Sequence, residues 1–321
     1  MTEQDSPDSK HFAFLMIDQF SMLCLSAAID PLRSANRMSG KPVYNWTMVS
    51  IDGEPVKASN GMVVQVDESI DSLGACDILF VCAGYRTEVP GQSHMLAKLR
   101  ERSRRGGAIG ALSIGSHILA QAGLLNDYEC TIHWENRASF QEAFPNVNCT
   151  GHVFEIDRNR FTSAGGTTSI DLMLSIINTD LGPDLANEVA NQFQHERIRT
   201  NEDRQRVGPE RDLAGKSEKL QRAAELMANH LEEPLAALEI ARRVGLSLRQ
   251  VERLFLRHLS CTPGRYYMRV RLERARELLR HSNAPILDVA LSTGFTSHSY
   301  FAQSYRTHFG CSPSQERRAN A

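Results

Sequence analysis

Ile240-Ala241-Arg242-Arg243-Val244-Gly245-Leu246-Ser247 recurs as Val289-Ala290-Leu291-Ser292-Thr293-Gly294-Phe295-Thr296, and this duplication decides how the last third of the 321 residues is read. In each copy a glycine closes one amphipathic helix before another begins, and the two glycines stand 49 residues apart. The helix that follows has matching apolar spacing: Val251, Leu254 and Phe255 in the first copy, Phe301 and Tyr305 in the second. Both stop alike, at His258-Leu259-Ser260-Cys261-Thr262-Pro263 and His308-Phe309-Gly310-Cys311-Ser312-Pro313. Helix, glycine-containing turn, helix is the helix-turn-helix plan, whose second helix can enter a DNA major groove.

The outer faces of the second helices separate a scaffold from a reader. In the first copy they offer Ser247, Arg249, Gln250 and Arg253, and in the second Ser297, His298, Ser299, Gln303 and Arg306. Arginine suits guanine edges and a side-chain amide suits adenine. Ser247 and Ser297 stand where N-caps are wanted, a role that positions a helix on phosphate without reading sequence. From Ser217 to Ala321 there are 16 Lys+Arg against 10 Asp+Glu, which leaves 20 against 28 of the chain's 36 and 38 for the rest. A net charge of −2 therefore hides a basic C-terminal part on an acidic body, the mark of a nucleic-acid-binding module joined to something else.

From about Lys219 to Arg317 the sequence resembles the DNA-binding domain of AraC-type bacterial transcriptional regulators. The resemblance rests on the run 246–255, on Arg271-Leu272-Glu273-Arg274-Ala275-Arg276-Glu277-Leu278-Leu279, and on the second copy from Gly294-Phe295 to Pro313. It implies an all-α domain of two helix-turn-helix units joined by a rigid helix, here about 263–281, that reaches successive major grooves roughly 34 Å apart on one face of DNA.

Before this region, short β-type apolar runs alternate with helical ones, as parallel α/β domains require. Strands are expected at Phe12-Ala13-Phe14-Leu15-Met16-Ile17, near 46–51 and 78–82, and at 108–113, with helices near 23–38 and 93–104. Gly110-Ala111-Leu112-Ser113-Ile114-Gly115-Ser116-His117 reads as strand, sharp turn and helix with Ser113 at the turn, where enzymes lift a nucleophile off the sheet. The stretch 11–195 resembles the PfpI-type, class I glutamine amidotransferase-like superfamily, which has a flavodoxin-like parallel sheet. Thr131-Ile132-His133-Trp134-Glu135 and Ala164-Gly165-Gly166-Thr167 extend that resemblance. The enzymes carry cysteine where this chain has Ser113, and His133 falls where they keep a histidine. They tend to keep an acid where this chain has Cys24.

A thiol is more easily activated than a serine hydroxyl, so Ser113 and His133 read as the vestige of a catalytic site kept as a pocket, with no cofactor and no metal. The alternative is a Ser113-His133-Asp30 amidase, peptidase or glyoxalase-like enzyme carrying a DNA-binding tail. Regulators of this two-part architecture include sensors in glycine betaine, carnitine and arginine catabolism. The resemblance thus implies an activator controlled by a small quaternary amine or basic amino acid. A cationic group would favour Trp134, Tyr85, Glu135 and Asp30, and a ligand carboxylate the amides after Ser113, at Ile114, or Arg86. Cys24 and Gly84 complete the expected wall.

Seven cysteines form no C-x-x-C pair and are odd in number, which points to free thiols in a reducing compartment. No apolar run approaches the ~20 residues of a membrane span, and a cytoplasmic, nucleoid-associated protein is expected. The expected layout is a polar tail at 1–10, a sensing domain at 11–196, a mobile charged linker at 197–216 and the DNA-binding domain at 217–318. Expected partners are double-stranded promoter DNA, a small-molecule effector, RNA polymerase and, by analogy, a second copy in a homodimer, with no membrane.

Overall fold

Continuous burial from Phe12 to Met16 of β1 (Lys10–Met16) sets the first architecture: Phe12, Phe14 and Met16 belong to one hydrophobic core, Ala13 and Leu15 to another, as a strand covered on both faces requires. The computed structural model describes residues 9–84, 90–205, 217–282 and 284–319. It divides into two units, Met1–Gln205 and Arg206–Ala321.

In the first unit β1 is followed by α1 (Met22–Ser39), β2 (Tyr44–Ser50), the hairpin β3 (Val56–Lys57) and β4 (Val63–Val64), β5 (Glu68–Ser69), β6 (Ile78–Ala83), α2 (Gln92–Arg104), β7 (Ala108–Ser113) and α3 (Gly115–Gln121). The unit continues through β8 (Glu129–Cys130), α4 (Arg137–Ala143), β9 (Asn148–Cys149), β10 (Phe154–Asp157), β11 (Arg160–Ser163), α5 (Thr168–Leu181) and α6 (Pro183–Gln192). The main sheet is ordered β10-β11-β7-β6-β1-β2-β5, and only the β10–β11 pair is antiparallel. Without β5 and β10 this is the flavodoxin-like order, in line with the α/β fold expected. One face carries stacked Phe12, Phe14 and Phe80 under α1 and α5, and the other carries Leu79 and Val81 under α2 and α3. The strand order reverses between β1 and β6, and in such sheets ligands enter outside the carboxyl ends of the strands at that point.

The expected linker begins inside this unit. Arg199 donates to the fully buried Asp171 from its amide (2.8 Å) and its Nε (2.9 Å), and His195 Nε2 lies 2.8 Å from the same carboxylate. Asp203 accepts from the Val153 amide, and Gln205 Nε2 donates to Thr131 Oγ1, Ile132 O and His152 O at 2.9–3.1 Å. The charges that read as a solvated run are paired, Arg197 with Asp203 and Arg199 with Asp171, so the boundary moves from 197 to 206. Residues 206–216 lie outside the described residues.

The second unit is all-α: α7 (Glu218–Ala228), α8 (Ala237–Arg243), α9 (Leu248–Leu259), α10 (Pro263–His281), α11 (Ile286–Ser292), α12 (His298–Phe309) and α13 (Pro313–Ala319). α8 and α9 form one helix-turn-helix and α11 and α12 the other. Both turns place glycine at positive φ, +67° at Gly245 and +76° at Gly294. The connecting helix α10 spans the expected 263–281 and serves two cores. Tyr266, Tyr267 and Val270 pack with the first helix pair, and Leu272, Ala275 and Leu279 with the second. The turn of the second pair is held from both sides: Gly294 lies against the Leu231 carbonyl and Pro234, in the loop between α7 and α8, and Arg271 of α10 bonds the carbonyls of Thr293 and Gly294. Glu316 of α13 bridges Arg276 and Arg280 of α10. Burial alone would raise that carboxyl, but bonds from Cys311, Arg280 and Arg276 hold it at about 2.

Candidate nucleic-acid interface and ligand site

Each reading helix starts at a serine. Ser247 accepts from the Gln250 amide, and Ser297 accepts from the Tyr300 amide. Between these caps the repeat is 50 residues rather than 49, since Thr296 adds one residue to the second turn. Val251 aligns with Phe301 and Phe255 with Tyr305, all four buried. On α9 this turns Arg249, Arg253, Leu256 and Arg257 outward; on α12 it exposes His298, Ser299, Gln303, Arg306 and Thr307. Arg257 and Thr307 extend the expected faces by a turn, a continuation that the helical period already contained.

Gln250 has a second duty. Its Oε1 accepts from the Ser247 amide at 2.8 Å and completes a reciprocal capping box, so it fixes the helix start, with its side-chain NH2 and a second oxygen lone pair left to face outward. Ser-x-x-Gln was the signal for it.

In the first unit Ser113 ends β7 opposite Ala83 of β6, at φ +60° and 8% exposed, the strained turn expected of an elbow. The helix behind it packs tightly, since a Cβ on Gly115 would meet the Val81 carbonyl at 2.2 Å. Gly165, at φ +94°, lies so close that a Cβ there would stand 2.8 Å from Ser113 Cβ. Cys24, in the first turn of α1, accepts from the Gly166 amide at 2.9 Å and has its thiol beside the Ser113 hydroxyl. Burial pushes that thiol up, outweighing the hydrogen bonds from Ser21, Gly166, Ser113 and Ser169 that lower it. The group facing Ser113 is thus a neutral thiol. Gly84 belongs here for close approach, with the Gln19 carbonyl 1.9 Å from where its Cβ would be.

The other expected wall residues divide. His133 Nδ1 lies 3.6 Å from Glu135, its ring is 5.7 Å from that of Trp134, and all three are partly exposed. Asp30 is different: it is half exposed and paired with Arg33 at 3.0 Å. Six residues beyond Cys24, it is about 9 Å along α1 and on another face, which removes it as the acid of a Ser113 triad. The Ile114 side chain is buried in the core with Ile118 and Leu119, so only its backbone can serve a ligand. Tyr85 and Arg86 lie outside the described residues. Among the described residues no group of His, Cys, Asp and Glu could hold a metal, and no helix is long and apolar enough to cross a membrane.

The DJ-1/PfpI family profile matches residues 10–179, and a helix-turn-helix domain profile matches 240–319. The HTH-type transcriptional regulator CdhR of Pseudomonas aeruginosa is 43% identical over 309 residues, covering 96% of this chain and 92% of that protein. The HTH-type transcriptional regulator GbdR of the same species is 42% identical over 304 residues, covering 95% and 83%. The chain belongs to the AraC-type transcriptional regulators with a DJ-1/PfpI domain. A crystal structure of an AraC family transcriptional regulator from Pseudomonas putida, 32% identical, superposes with a TM-score of 0.53 over 57% of this chain and 99% of that one. The likeness to CdhR and GbdR spans both units, so this family member is a DNA-binding regulator, as the duplicated motif implies. The DJ-1/PfpI unit is the part it does not share with a bare DNA-binding domain.

Proposed function

We propose that the α/β unit is a non-catalytic receptor for a small amine-bearing metabolite, and that its ligand state controls how α9 and α12 engage promoter DNA, with the chain acting as a homodimer. The observation that supports the receptor reading is what faces Ser113: the buried Cys24 thiol stands where the enzymes keep an acid, and Asp30, the remaining acid of a Ser113-His133-Asp30 hydrolase, is paired with Arg33 instead. The partly exposed Trp134 ring beside Glu135 offers a cationic ligand an aromatic face and a carboxylate. In thermal-shift measurements on the full chain, glycine betaine, carnitine and arginine are the first ligands to test. The cognate one should stabilise by about 2.7 kcal/mol at a hundredfold excess over its Kd. Ser113→Ala should retain the shift. Turnover of the ligand that this substitution abolishes would instead establish the hydrolase reading, which the strained φ of Ser113 favours.

On the DNA side we assign Arg253 and Gln303 to base edges, flanked by Arg249, Ser299 and Arg306, with Ser247 and Ser297 as positioning caps. Arg253→Ala and Gln303→Ala should each lose about 1–3 kcal/mol of discrimination between a selected duplex and its scrambled counterpart. Unchanged discrimination in a mobility-shift titration would remove these two as readers.

A further inference from the structure

The second unit has an open groove of about 740 Å³ lined by Ser260 and Cys261 of the turn that follows α9, by α10 and by α12. None of the described residues lining it is acidic. Arg265 and Arg269 stand one helical turn apart on α10, Tyr300 and Ser304 offer hydroxyls from α12, and His308 lines the groove from the same helix. The Arg265 side chain is exposed, while Arg269 lies over the Tyr266 ring at 5.3 Å. Gln303, assigned above to a base edge, borders the same groove and so marks it as facing DNA.

Two helices in successive major grooves leave the minor groove and its two phosphate strands facing the protein between them. Whatever protein lies there meets phosphate rather than a distinctive base edge. We propose that this groove seats the sugar-phosphate backbone between the two half-sites, with Arg265 and Arg269 of the connecting helix as its cationic contacts. The assignment rests on the DNA-binding reading and adds a third element to it, one that sets affinity and register without reading sequence. Burial, with the cations of Arg269 and Arg276, keeps His308 below the ordinary imidazole value.

The test uses the full chain, a duplex selected by it from a random library, and a scrambled duplex. Each phosphate contact removed should reduce the slope of log K against log salt by about 0.9, so Arg265→Ala and Arg269→Gln should each lower it by that amount. The preference for the selected duplex over the scrambled one should stay as in the wild type. Methylphosphonates placed between the half-sites should weaken the wild type and leave Arg265→Ala almost indifferent, a coupling that a folding defect would not produce. Slopes unchanged in both variants, or equal sensitivity of wild type and Arg265→Ala to the neutral linkages, would overturn the groove assignment alone. A wild type that binds neither duplex would overturn the DNA-reading assignment and the groove with it.

Discussion

Asp171→Ala is expected to destabilise the α/β unit by about 3–5 kcal/mol, the effect of deleting one partner of a buried charged cluster and leaving the other uncompensated. Asp171 is fully buried and collects His195, the Arg199 amide and the Arg199 guanidinium, so its loss strands several donors at once. Asp171→Asn, which keeps the shape and one acceptor, should recover part of the difference. Denaturation of the full chain, following the transition of the α/β unit, measures both. A change within about 0.5 kcal/mol for alanine would mean that the tie between α5 and residues 195–205 does not hold the segment. Loss of the tie also frees the stretch that leads toward the reader, so promoter binding in Asp171→Ala should respond less to ligand than in the wild type.

Gly294→Ala is the second large effect. Alanine at φ +76° adds roughly 1–2 kcal/mol of backbone strain. Its Cβ would also sit 2.3 Å from the Leu231 carbonyl, forcing a shift that typically costs a further 1–3 kcal/mol. A total of about 2–5 kcal/mol is expected, together with weaker binding to duplexes carrying both half-sites, since the wedge pushes the turn before α12 away from the α7–α8 loop. Gly245 is the internal control. It occupies the same place in the first copy at φ +67° with nothing near its absent Cβ, so Gly245→Ala should show the strain alone. Thermal melting of the two variants side by side, with binding to duplexes of varied spacing, checks this. Equal losses for both glycines would mean that the Leu231 contact carries no weight.

That contrast marks where the sequence ceases to be readable. The duplicated glycines, the serine caps, the span of α10 and the apolar strands at 78–83 and 108–113 follow from local rules of period, capping and turn chemistry, and the fold stands as those rules imply. What Gly294 touches, by contrast, is set by tertiary packing some sixty residues away in the chain. The same division runs through the pocket. The elbow at Ser113 is a local pattern, whereas the meeting of Cys24 with Gly166, 142 residues apart, is written in no window of sequence. Asp30 is close to Cys24 in sequence, yet the helical turn carries it to another face of α1. The charged stretch after 196 has the composition of a linker, yet its cations find Asp171 and Asp203 in space, a pairing that composition does not encode. Gln250 is the opposite case, since Ser-x-x-Gln makes its capping box legible within four residues of sequence.

One helix, α10, lends its first half to one hydrophobic core and its second half to the other. Neither motif can therefore melt without stripping its neighbour of a wall, and the unit should denature as one cooperative block with no half-folded species populated. For a DNA-binding regulator with two helix-turn-helix units, such indivisibility guards against a protein that grips with one hand only.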